Sequence, residues 1–193
     1  MTNQQLVNWR DFSLGYLKAA VVCADAFIEY SKNKENIEPG YEGYGKFCFI
    51  PAIWNLKHSF ELTIKFLSKR LDPRARKTHD LLYLLQKFKV EAELSDQEIE
   101  ELGNMYNKYI GFESFKNLPS PQKNLDTETL FQLPNDKENM FFHYPEEHIV
   151  HNGYDKFFYY SLATDVNEGY MVSMMEELRI DAEKFARIFP KLM

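Results

Sequence analysis

The chain has 193 residues, 45% of them hydrophobic and 27% charged, with a formal net charge of −6. This is room for one domain with a full core, and the acidic balance excludes a protein that coats nucleic acid through an extended basic surface. No run of 18 apolar residues occurs and the first residues lack the charged-then-apolar pattern of a leader, so the protein is expected in the cytoplasm with no membrane partner. Only two cysteines occur, Cys23 and Cys48, each inside an apolar segment, which reads as buried reduced thiols rather than a disulfide scaffold. Aromatic residues at 16% predict that part of the core or an interface is aromatic.

A first helix is predicted over residues 2–32, because Leu6, Trp9, Ser13, Tyr16, Leu17, Ala20, Val21, Ala24, Phe27 and Ile28 trace one helical stripe. Pro39 and neighbouring glycines break it. A second helix is predicted over residues 47–70 from Ile53, Leu56, Phe60, Ile64, Leu67 and Leu71 at spacings of three and four. Pro51 places its start near Ile50. His58, Glu61 and Lys65 fall on a neighbouring face, and Glu61 with Lys65 reads foremost as an i,i+4 pair on the helix surface. A basic connection follows, in which Lys69, Arg70, Arg74, Arg76 and Lys77 put five positive charges within nine residues. It reads equally as a solvated loop or as an anion- or RNA-contacting segment.

Thr78 can cap a third helix over residues 78–89, with Asp80 in its positively polarised first turn. Ser95 and Glu98 form a capping box for a fourth helix that runs to about Ile110, with Gly111 as its stop. Residues 117–162 lack a helical pattern. They are predicted as a long polar loop followed by a small β-hairpin built on two aromatic runs, residues 140–144 and 157–160. Those aromatics suit either base stacking or attachment of the hairpin to the helices or a second subunit. A last helix is predicted from Thr164 or Asp165, with Glu168 as a capping-box partner and Pro190 as its end. The expected architecture is all-α: an up-and-down helical bundle in a single domain, residues 1–193, with the loop and hairpin inserted before the last helix.

The chemistry-bearing motifs are few. No phosphate-binding glycine loop, dinucleotide fingerprint, serine elbow or Cys-x-x-Cys pair occurs, which removes the commonest enzyme classes. His143, His148 and His151, with Glu146, Glu147 and Asp155, match no zinc spacing, so no metal and no cofactor are assigned. Arg74 and His79 form the one Arg-x4-His in the chain. Such a pair can stabilise charge on phosphorus and move a proton, although His79 beside a helix cap also suits a structural histidine.

The helix carrying His58, Glu61 and Lys65, followed by Lys77-Thr78-His79-Asp80-Leu81, resembles the HEPN family. Phe142-His143-Tyr144-Pro145 is similar to that family's Arg-Tyr-Pro segment, with His143 where Arg is usual. The resemblance implies a helical bundle, frequently a homodimer, that binds or cleaves RNA or nucleotides in toxin–antitoxin or phage-defence systems. An antitoxin or a nucleotidyltransferase is the implied protein partner. Active members carry Arg-x(4–6)-His near the start of the final helix and cleave RNA without metal. Here the last helix holds Arg179 and Arg187 but no histidine. The catalytic candidates are therefore Arg74, His79 and His143, and the candidate RNA or nucleotide contacts are Glu61, Lys65, Lys69, Arg70, Arg76 and Lys77. The alternative that the resemblance implies is a non-catalytic interaction or ligand-binding module that dimerises.

Overall fold

The computed structural model describes residues 3–33, 48–74, 81–110 and 168–193, and all regular structure among them is helical. Helix α1 spans Asn3–Asn33, α2 Phe49–Leu71, α3 Leu81–Phe88, α4 Asp96–Met105 with a π-helical turn Tyr106–Ile110, and α5 Glu168–Leu192. The predicted hairpin and loop, the caps at Thr78 and Asp80, and the stop at Gly111 lie outside the described residues.

The first helix forms as its pattern dictates: Ser13, Leu17, Ala20, Ala24, Phe27 and Ile28 are all buried. Its most extensive packing is against α2. The two run antiparallel, since Ser13 meets Ser59 and Thr63 while Phe27 meets Phe49, their rings 5.6 Å apart. Helix α5 also runs antiparallel to α1, through Arg179 on Asp25 at 2.8 Å and Lys32 on Glu176 at 3.6 Å. On its other side α5 meets α2, where the Phe60 and Phe185 rings lie 5.4 Å apart.

Helix α2 is thus enclosed on several sides. Besides its apolar stripe it buries Lys57, Ser59, Glu61, Thr63 and Ser68. Pro51 sits in its first turn, where N–H groups have no intrahelical acceptor, and the first full bond runs from Ala52 N to Cys48 O at 2.9 Å.

After α3, Glu93 N donates to Val90 O and Leu94 N to Lys89 O, at 3.1 and 3.2 Å. That pair of bonds is a Schellman stop, and Glu93 fills its left-handed position with φ 53°. The predicted capping box is present at α4: Glu98 N donates to Ser95 Oγ at 3.2 Å and Ser95 N to Glu98 Oε2 at 2.8 Å. Lys191, at the far end of α5, closes on the same carboxylate at 2.8 Å.

Pro190 does not end the last helix, which continues to Leu192. The proline forfeits one backbone bond and its ring crowds the preceding turn, a cost of about 3 kcal/mol. Phe189 and Leu192 are both buried beside it, each worth about 1.5–3 kcal/mol, so burial wins.

Candidate functional site

Two neighbouring features of α2 carry the candidate residues. The first is midway along the helix. Trp54 and His58, one turn apart, stack with ring centroids 4.9 Å apart and an 11° angle between planes. Tyr16 of α1 meets both edge-on, at 5.6 Å from Trp54 and 4.6 Å from His58. Below this aromatic group, Glu61 accepts from Lys65 Nζ, and its other oxygen lies 3.7 Å from His58 Nδ1. An imidazolium at His58 would complete an ion pair with that oxygen.

The expectation of a surface pair at Glu61 and Lys65 is overturned here. Glu61 is only 3% exposed, because α2 is covered on the face that carries it as well as on its apolar stripe. A carboxylate taken out of water needs a cation, and the Lys65 side chain, 26% exposed, supplies it. Lys65 therefore offsets the buried Glu61 charge within α2.

The second feature is the basic end of α2, where His58, Glu61, Lys65 and Lys69 continue as one stripe at spacings of three and four. Lys69 Nζ donates to Pro73 O at 3.4 Å. The Arg70 guanidinium is exposed and lies 6.0 Å from the Phe66 ring centroid. Arg74 is exposed, and its backbone N donates to Asp72 Oδ1 at 3.1 Å. Asp72 also pairs with Lys87 of α3 at 3.3 Å, so one carboxylate organises the turn that presents the arginines. Lys69 stands roughly 16 Å along the helix from His58, so the aromatic group and the basic end are successive stations rather than one pocket.

Of the predicted site residues, the structure brings Glu61 and Lys65 together, and places Lys69, Arg70 and Arg74 at one helix end. Arg76, Lys77, His79 and His143 lie outside the described residues. No group of three or more His, Cys, Asp or Glu suited to a metal ion occurs among the described residues.

Two arrangements had weaker signals in the sequence. Tyr16 belongs to the α1 stripe, but nothing local ties it to His58. Lys108, Tyr109 and Asp181 meet across more than seventy positions of chain. Lys108 Nζ donates to Asp181 Oδ2 at 2.9 Å and pairs with Glu177 at 2.6 Å, while the Tyr109 hydroxyl donates to Asp181 at 2.7 Å. Burial first, then the Asp181 charge, raises the Tyr109 hydroxyl far above its ordinary value. Burial alone would lower Lys108, but Glu177 and Asp181 together outweigh it and hold the ammonium charged. The Tyr109 phenol therefore stays protonated and donates to Asp181, and the three residues clasp the π-helical turn to α5.

No family model matches the chain, and no curated protein or solved structure is significantly similar to it.

Proposed function

We propose that the chain is a HEPN-like up-and-down bundle that binds RNA or a nucleotide phosphate at the basic end of α2. The observation that carries this reading is the placement of Lys69, Arg70 and Arg74 at one helix terminus, the two arginines exposed. Arginine forks suit phosphate oxygens, and a compact cationic end on an acidic protein gives local rather than general affinity. Glu61 and Lys65 hold the helix face beneath this site. If the protein cleaves RNA, Arg74 stabilises the charge growing on phosphorus, and His79 or His143 takes the proton of the attacking 2′-hydroxyl.

The test is fluorescence anisotropy with a single-stranded RNA at several salt concentrations. Arg70→Ala and Arg74→Ala should each weaken binding and lower the salt slope by about one. An unchanged slope in both variants would sink the reading. Cleavage in EDTA, compared with His79→Ala and His143→Ala, tests the catalytic version; no cleavage by the wild type removes it.

A second reading, a non-catalytic HEPN-like module that dimerises, draws on Val22 and Ile180, which are 66% and 53% exposed. They sit three residues before Asp25 and next to Arg179, the pair that joins α1 to α5. Sedimentation equilibrium of wild type against Val22→Asp decides it: a monomeric wild type, or a dimer that the substitution leaves intact, counts against this surface.

A further inference from the structure

The outer face of α3 adjoins the arginines at the end of α2. Leu84 and Leu85 are buried as α3 packs on α2, which turns Tyr83, Gln86 and Lys87 towards solvent. Lys87 Nζ reaches Asp72 Oδ2 at 3.3 Å, and the other oxygen of that carboxylate accepts from Arg74 N at 3.1 Å. Tyr83 lies one turn before Lys87 on the same face, about 6 Å along the axis. Asp72 thus ties the face that carries Tyr83 to the turn that carries Arg74. Among the described residues, Phe12 and Tyr83 are the aromatic side chains that stay more than half exposed, at 62% and 54%, and Phe12 belongs to α1. A lone aromatic on a surface is ordinary. What distinguishes Tyr83 is its tie to two exposed arginines.

We propose that the ligand at this end of the molecule is single-stranded RNA, with an unpaired base stacked on the Tyr83 ring while Arg70 and Arg74 hold the adjoining phosphates. The proposal rests on the reading of the basic end as a phosphate site and narrows that site to one class of substrate. Arginine forks take phosphate oxygens whether or not the bases are paired, so on their own they do not select a strand. The tyrosine ring adds a flat face on which any base can stack, and only a base splayed out of a helix offers its own face in return. In a duplex the bases are covered above and below by their neighbours, so a duplex brings phosphates to the arginines and nothing to the ring. Two separate guanidinium groups suit more than one phosphate, which favours a strand over a mononucleotide. The net charge of −6 confines attraction to this short basic stretch, so stacking supplies a larger share of the affinity than it would on a basic protein.

The experiment measures binding of the full chain to two labelled strands of equal length and charge, an unstructured mixed-sequence RNA and the same strand with abasic sugars. The wild type should bind the base-bearing strand roughly tenfold more tightly than the abasic one. Tyr83→Ala should abolish that preference while leaving abasic affinity and the salt slope as in the wild type. Tyr83→Phe keeps the ring and should keep the preference, which separates a lost stack from a lost fold. Equal wild-type affinity for the two strands, with Arg70→Ala and Arg74→Ala still lowering the salt slope, overturns the stack and leaves the phosphate site standing. Binding of neither strand overturns both. A Tyr83→Ala variant that weakens binding to both strands alike makes the tyrosine a support of the turn and also overturns the stack.

Discussion

Two parts of the molecule bury a carboxylate against a lysine, and they do it differently. In the middle of α2, Glu61 finds Lys65 one turn away on the same helix. On α5, Asp181 is met by Lys108 and Tyr109 of the π-helical turn that ends α4, a distant part of the chain. The first pair exists wherever that helix exists, and Lys65 can turn towards water if its partner is lost. The second exists only when α5 has docked on the π-helical turn; there Lys108 also holds Glu177 at 2.6 Å, whereas the Tyr109 hydroxyl is buried with Asp181 as its acceptor. Similar chemistry therefore does two jobs: one makes a polar helix face tolerable in the interior, the other reports and enforces long-range packing.

The largest expected effect tests the distant pair. Asp181→Ala should cost about 2–3 kcal/mol in urea unfolding, because it leaves the buried Tyr109 hydroxyl without its acceptor while Lys108 keeps Glu177. The same clasp has a pH signature. The Tyr109 hydroxyl is raised above 10.0, its value in the unfolded chain, so the stability it contributes is present below about pH 10 and is lost as pH rises beyond it. Asp181→Ala should flatten that alkaline loss.

Glu61→Ala is expected to cost less, about 1–2 kcal/mol, since Lys65 can reach solvent. Equal costs for the two truncations would erase the distinction between local and long-range pairs. Glu93→Gly sharpens the measurement by supplying a more stable background. It relieves the left-handed backbone at φ 53° and should add about 0.5–1 kcal/mol, read as a higher urea midpoint with an unchanged slope.

The smallest effect belongs to a third lysine–carboxylate pair, at the surface. Lys191, then the Ser95 backbone, lowers Glu98 from 4.5 to about 2. A lowered carboxylate contributes stability that is complete above its unfolded value and is lost as pH falls through its folded one, here between about 4.5 and 2. Glu98→Gln should make that acid window shallower, and added salt should diminish the difference because the pair is solvent-screened. A salt-independent difference would mean that the pair is more shielded than its place suggests.

Much of the helical order was legible because it rests on local chemistry. The α1 stripe from Ser13 to Ile28 is a period, the Ser95–Glu98 box is a spacing, and both survive without knowledge of neighbours. The exposed arginines Arg70 and Arg74 were legible for the same reason, since charge after an apolar stripe ends belongs in water. The burial of Glu61 was not, because the partner that covers its face lies on other helices. The Lys108–Tyr109–Asp181 contact was hidden by distance along the chain, and the widening of α4 into a π-helical turn has no residue that announces it. Cys23 and Cys48 could be expected in apolar settings, and both are half-buried rather than sealed in the core. Pro190 misleads for an energetic reason: its penalty is real and is outweighed by the apolar residues around it.

The hydroxyl cluster between α1 and α2 has a consequence for how the chain avoids folding wrongly. Ser13 Oγ donates to Ser59 O and Ser59 Oγ to Ser13 O, both at 2.8 Å, and Thr63 Oγ1 lies 2.6 Å from Ser13 Oγ. Each bond adds little net stability, since water would serve the same groups in the unfolded chain. A slide of α1 by one turn is another matter. It would keep much of the apolar contact, because the stripes repeat, yet separate the Ser13 and Ser59 hydroxyls from the acceptors opposite them, at about 1–3 kcal/mol each, while Thr63 keeps its bond to Ser59 O within α2. The cluster thus acts on the competing alignments more than on the native one, and selects a single alignment from a repeating surface.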